Sequence, residues 1–210
     1  MKFQDNFAVI CRRRGGVCLA LLACCLLAAC FGRSAGAPAA VFDFGAPPSA
    51  AAPAALPLRG IDVTAPSWLD TPALQYRLAH VEAARRHAYA ESRWAAAPAE
   101  LLERALRRAL LGGTEAAAGC RLRVELDEFI QVFDAASASH GELALRATLT
   151  STQAERVLAR KSFSFSEPAA RADASGAADA LARAGMAAAA ALRDWVAALP
   201  AEIGKTCRNV

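Results

Sequence analysis

Seven cysteines, three histidines and twenty carboxylates are the side chains in this sequence with reactive potential, and their spacing decides which chemistry they support. His80, His87 and His140 fall in no His-x-x-x-His frame, and beyond residue 29 there is no Cys-x-x-Cys frame, so the ligand spacing of a metal site is missing. No phosphate-binding glycine loop and no dinucleotide fingerprint occurs; Gly112-Gly113 reads as a helix stop. A Ser-His-Asp triad would have to be assembled from unrelated loops. Glu125, Asp127 and Glu128 read as the wet side of a strand, not as an acid and base pair. These residues predict no catalytic centre, no cofactor and no metal. The chemistry that remains belongs to thiols.

Cys30 closes the run Leu27-Ala28-Ala29-Cys30. Arg12, Arg13 and Arg14 precede it, and Val17 to Ala29 carry no charge and no proline. A basic start, an apolar core of about 7–15 residues and small residues before a cut mark a secretory signal. The run is too short for a membrane span, which needs about 20 apolar residues. Small residues followed by cysteine resemble a lipobox, in which the cysteine is acylated and becomes the new N-terminus. Two other readings stand beside it: a plain signal cut that leaves Cys30 an ordinary thiol, and a cut before Cys24 after Leu21-Leu22-Ala23.

A cut before Cys30 leaves 210 − 29 = 181 residues, enough for one domain and a linker. Of the formal charge of +4, the removed Lys2, Arg12, Arg13, Arg14 and Asp5 carry +3, so the mature chain is at +1. That gives no electrostatic case for nucleic acid. Cys11, Cys18, Cys24 and Cys25 leave with the signal, and Cys30 takes lipid. Cys120 and Cys207 then remain as a pair in an oxidising compartment, which predicts a disulfide; two unrelated buried thiols are the other reading. Closing so long a loop stabilises by about 3–5 kcal/mol in the chain-entropy model.

Residues 30–57 are rich in Ala, Pro, Gly and Ser and read as a tether. Within it, Ala40 to Gly45 carries Val41, Phe42 and Phe44, either a short first strand or an apolar patch in a linker. The domain spans 58–210. Ile61, Val63 and Ala65 alternate with polar residues as a strand, ended by Pro66. After the bend Ser67 to Pro72, Leu74 to Leu78 and His87 to Trp94 read as strands, with a helix over His80 to Ala90 competing. Ala97 to Leu111 is the clearest helix, with Pro98 at its first position and an apolar stripe through Leu102, Leu106 and Leu110. Its Arg104, Arg107 and Arg108 read as a solvated face, with a phosphate site as the rival. Cys120 to Phe133, Leu143 to Leu149 and Val157 to Phe165 form an antiparallel meander through hairpin loops at Ser137 to Gly141 and Ser151 to Glu155. A second helix runs from Gly176 to Leu199. The fold class this predicts is α+β, a mostly antiparallel mixed sheet with two packed helices.

Ile61-Asp-Val-Thr-Ala-Pro-Ser-Trp-Leu-Asp-Thr-Pro72, then Gln75-Tyr-Arg77, then Ser92-Arg-Trp94, ahead of Leu102-Glu-Arg-Ala-Leu106, resembles the ABC-type transport auxiliary lipoproteins, the PqiC-like family. The likeness runs from Val41 to about Leu199. It implies that Val41 to Gly45 is a first strand and that the fold is similar to the TolB N-terminal domain. It implies a non-catalytic lipoprotein, anchored by its N-terminal lipid at the periplasmic face of the bacterial outer membrane. Partners implied are an MCE-domain protein and its ABC permease and ATPase, in a lipid transport system. Phe31 after the cysteine, in place of Asp, fits sorting to the outer membrane. Pro66, Trp68, Leu69, Asp70, Tyr76 and Arg77 are the expected docking residues, with burial in the core as their other reading. A lipid-binding module and a structural lipoprotein of envelope assembly are the alternatives, and the oligomeric state, a homo-oligomer included, stays open.

Overall fold

The computed structural model describes residues 38–45, 56–112, 115–151 and 156–209. The expected signal segment, Cys30 and the stretch 46–55 lie outside these residues. In chain order the described elements are β1 (Ala40–Phe42), β2 (Leu58–Thr64), β3 (Ala73–Leu78), α1 (Ala79–Glu82), β4 (His87–Trp94), α2 (Pro98–Leu111), β5 (Cys120–Ala135), β6 (Ala138–Thr150), β7 (Val157–Pro168), α3 (Ala174–Ala197) and α4 (Ala201–Arg208). His87 to Trp94 is therefore a strand, and only one helical turn interrupts the connection from β3. The Arg85 amide donates to Glu82 O at 3.1 Å as the chain leaves that turn.

One mixed sheet holds all seven described strands, in the order β1-β4-β3-β5-β6-β7, with β2 also beside β5. The α+β class is as the residue patterns predict. The long ladders β5–β6 and β6–β7 are antiparallel, because short turns join strands that alternate in polarity. Three pairings are parallel: β1 with β4, β2 with β5, and β3 with β5. β2 pairs Cys120 to Glu125 and β3 pairs Gln131 to Phe133, so the two strands lie end to end along one side of β5.

The register of β5 against β6 shifts between Leu126 and Glu128, a bulge that changes which residues face the helices. Cys120, Leu122, Val124 and Leu126 point to the helix side before it; Phe129 and Gln131 do so after it. The β5–β6 turn is tighter than expected: Ala135 pairs with Ala138, and Ser139 to Gly141 are strand. Gly141 is needed for close packing, since a Cβ there would lie 3.0 Å from the Leu181 amide nitrogen of α3. Pro168 ends β7 on the outer edge of the sheet, where no ladder donor is required.

α2 and α3 cover one face of the sheet. Leu102, Leu106 and Leu110 of α2 and Leu181, Ala184, Ala188 and Leu192 of α3 meet Leu122, Val124, Leu126 and Leu145 in a single core. Pro98 opens α2 and left-handed Gly112 (φ 57°) closes it. Asp173 caps α3, its Oδ1 accepting from the Gly176 amide at 2.8 Å. Phe163 stacks with Phe165 and meets Trp195 of α3 edge to face at 6.0 Å. The first-strand residues belong to this core as well. Phe44 contacts Trp94 and Phe129 at centroid distances of 5.9 and 5.8 Å, and its ring lies over Gly185 of α3.

A polar chain is buried beside the α3 N-terminus. The Tyr89 hydroxyl donates to Gln131 Oε1 at 2.6 Å, and Gln131 Nε2 donates to Ser139 Oγ at 2.8 Å. Gln131 is fully buried, so these bonds satisfy an amide that water cannot reach. Burial, with Tyr76 and Asp173 nearby, pushes the Tyr89 hydroxyl up to about 12. At the other end, Cys120 and Cys207 form a fully buried disulfide with Cα atoms 5.0 Å apart, which ties α4 to the start of β5.

Candidate docking surface

β2 leaves β5 after Glu125 and β3 rejoins it only at Gln131, so the chain must bridge that interval with a loop, Ala65 to Pro72. The loop is braced at each point. The Leu69 and Asp70 amides both donate to Pro66 O, at 2.8 and 3.0 Å, and the Trp94 amide donates to Pro72 O at 2.8 Å. Leu69 is 1 % exposed and is part of the core, which leaves it no surface to offer a partner. Its neighbour Trp68 points outward and is 47 % exposed. An indole left in water on a loop pinned at both ends has few conformations to lose on contact.

Polar side chains from three elements hold that indole. Gln75 Nε2 donates to Trp68 O at 2.9 Å, and Gln75 Oε1 accepts from Arg86 Nη1 at 3.0 Å. The Arg86 guanidinium lies over the Trp68 ring, 4.1 Å from its centroid. Arg86 Nη2 also donates to both carboxylate oxygens of Glu128 at 2.5 Å, and Arg77 Nη2 donates to Glu128 Oε2 at 3.1 Å. Glu128 Oε1 accepts from the Phe129 amide at 3.1 Å, directly after the β5 bulge. Arg77, Arg86 and Glu128 are mostly buried, so this pairing is screened less than a surface one. Two guanidiniums on one carboxylate leave a net positive charge beside an aromatic ring. The Arg77 Nε is buried with no hydrogen-bond partner among the described residues.

The six expected docking residues thus separate. Trp68 is outward, with Pro66 as the turn acceptor and Asp70 exposed beside it. Arg77 is on the sheet face away from the helices, behind Arg86. Tyr76 is on the opposite face, as strand alternation requires, and packs with His87, Tyr89 and Phe133 at 5.0, 4.7 and 5.8 Å. Arg86, Gln75 and Glu128 complete the cluster and were not singled out by the sequence. Glu128 reads as a wet strand residue, and Arg86 is 42 residues from it in the chain.

The arginines of α2 divide too. Arg107 is committed to Glu103 at 2.9 Å, to Glu115 and to Ile61 O at 3.0 Å. Its hydrogen bond to Glu103 foremost, then Glu115, raises its pKa. Among the described residues no group of His, Cys, Asp and Glu is placed to hold a metal, and no helix is long and apolar enough to cross a membrane. The single Gly-x-Ser-x-Gly run, Gly32 to Gly36, lies outside them.

Comparison with known proteins bears on this arrangement. The family model for the ABC-type transport auxiliary lipoprotein component matches residues 45–197. A DUF330-family protein from Xanthomonas campestris has a similar structure, with a TM-score of 0.64 at 20% identity, over 75% of this chain and 93% of that one. A second solved structure, of an uncharacterised protein, gives 0.59 at 11% identity, over 76% and 99%. At these identities the likeness speaks to the fold alone. No curated protein matches the chain. The family match spans most of the sequence, and the chain belongs to the ABC-type transport auxiliary lipoprotein component family.

Proposed function

We propose that this member of the auxiliary lipoprotein family is a non-catalytic adaptor. It is acylated at Cys30, held at the periplasmic face of the outer membrane, and docks an MCE-domain protein that works with an ABC permease and ATPase in lipid transport. The observation that carries the docking part is Trp68: a half-exposed indole on a braced loop, stacked under an arginine. Tryptophan and arginine dominate the energetic centres of protein interfaces. The docking surface is Trp68 with Arg86, rimmed by Pro66 and Asp70 and backed by Arg77; Leu69 and Tyr76 support it from inside. The family match supports the link to an ABC transport system, and Phe31 after Cys30 supports outer-membrane sorting.

A photo-crosslinking side chain at position 68, in cells, tests the surface. The expected product is an adduct with an MCE-domain protein, absent when the probe is at Val157, which is equally exposed on the far edge of the sheet. An acylated, correctly located chain that gives no such adduct from position 68 refutes the docking surface. Lipid labelling that persists in Cys30→Ala refutes the anchor.

A further inference from the structure

A cleft of about 110 Å³ opens where the chain leaves β1, between α2 and α3. Phe44, Leu101 and Met186 give it an apolar floor, and Arg104 and Arg108 stand on its rim. It is well below the roughly 300–1,000 Å³ of a metabolite pocket, so it suits one small group entering from outside. The two arginines are four residues apart on one helix face and both are exposed. Arg104 meets only Glu100, at 3.6 Å, and Arg108 has no ion pair among the described residues. Asp43, also lining the cleft, is exposed, and its Oδ1 accepts from the Gly45 amide at 2.7 Å, so two guanidiniums there face one carboxylate.

We propose that this cleft holds the anionic phosphate headgroup of a lipid in the membrane that carries the Cys30 anchor. The choice of occupant rests on the acylation of Cys30 proposed above. Nine residues, ten Cα steps, separate Cys30 from Ala40, the first residue of β1. Fully extended they span at most about 35 Å. Asp43, Phe44 and Gly45 follow β1 directly, so an anchor at Cys30 keeps the cleft within about that reach of the headgroup layer. A short tether supplies an effective concentration in the millimolar range, which fills a site too weak to work in free solution. Two guanidiniums meet the phosphate oxygens while the apolar floor takes the glycerol carbons nearest to it. Occupancy fixes which face of the domain lies on the membrane.

The test uses the full mature chain and short-chain lipids below their micelle threshold: dihexanoylphosphatidylglycerol, dihexanoylphosphatidylcholine and inorganic phosphate, followed by NMR. The phosphatidylglycerol analogue is expected to bind and to shift resonances of Arg104, Arg108 and Met186. Arg104→Ala with Arg108→Ala weakens it about tenfold or more, and the double Lys variant keeps most of the affinity. Equal binding by the double Ala variant overturns the proposal. So does an equal response to phosphatidylcholine, or binding of inorganic phosphate as tight as that of the lipid. Cys30→Ala separates the two readings: the titration survives loss of the anchor. A native chain that carries no acyl group at Cys30 overturns the choice of membrane as the source, whatever the titration gives.

Discussion

Gly185→Ala should destabilise the native protein or leave it unchanged, yet stabilise it once Phe44 is removed. Gly185 is in the interior of α3, where alanine is favoured over glycine by about 1 kcal/mol. A Cβ at that position, however, would lie 2.7 Å from Phe44 Cε2 and 3.2 Å from Cδ2 and Cζ. The ring is held by Trp94 and Phe129, so it can yield only by disturbing those contacts. Overpacking of this kind costs about 1–3 kcal/mol. The sum for Gly185→Ala in the native chain runs from neutral to a loss of about 2 kcal/mol. Phe44→Ala alone removes a partly buried ring and should cost about 2–3 kcal/mol, short of a fully buried phenylalanine. In that background the new methyl meets open space, and Gly185→Ala should gain about 1 kcal/mol.

Urea unfolding of the four disulfide-intact chains, followed by far-UV circular dichroism, closes the cycle. A coupling of about 1–3 kcal/mol is expected between positions 44 and 185. If Gly185→Ala adds the same increment in both backgrounds, Phe44 is not seated on α3. The first strand would then be no part of this core.

Three further perturbations follow from the structure. Reducing the Cys120–Cys207 bridge, or Cys207→Ala, should cost about 3–5 kcal/mol and melt α4 first, read by thermal unfolding with and without reductant; equal midpoints would contradict it. Tyr89 has its proton held in the folded state up to about 12, against an ordinary value of about 10, so stability falls as pH rises through that window. Tyr89→Phe should lose about 1–2 kcal/mol near neutrality, by leaving Gln131 short of a donor, and decline less between pH 10 and 12. Glu128→Ala leaves Arg77 and Arg86 without a counter-charge and should cost about 2–3 kcal/mol, more than Arg86→Ala, which leaves Arg77 paired.

The meander β5–β6–β7 was legible because half-buried antiparallel strands write their faces into alternate residues. α2 was legible from its proline start, glycine stop and leucine stripe. The parallel pairings were not, since alternation reports which face a residue takes and not which strand lies beside it. Gly141 reads as a turn residue, but its role is to let α3 approach the sheet, a contact forty residues away. α4 is short and contains Gly204, so its own pattern does not announce a helix, although the disulfide that ties it down is legible from the cysteine count. Trp68 stood out as one large aromatic in a bend. Its partners Arg86 and Glu128 did not: the blurred alternation from Phe129 to Phe133 suggests a bulge or a strand covered on both faces, but not that a bulge after Leu126 aims Glu128 at a residue 42 positions away.

If Cys30 carries the anchor proposed above, the contact between Phe44 and Gly185 also bears on how far the domain can stray from it. β1 pairs with β4 over three residues, too few to hold an edge strand by hydrogen bonds alone. The phenylalanine two residues after it, pressed onto a glycine, fastens the strand from the other side. With β1 in place, the tether from the proposed anchor at Cys30 runs ten Cα steps to Ala40; without β1 it runs 26 steps to Leu56, the first residue of the next described segment. Its greatest reach rises from about 35 Å to about 90 Å. The effective concentration at the membrane falls by about fourfold on the three-halves power of length. Under the proposed anchor, releasing β1 by Phe44→Ala should therefore weaken membrane-dependent contacts of the domain while leaving the acylation itself unchanged, a difference that vesicle binding of the acylated chains would read.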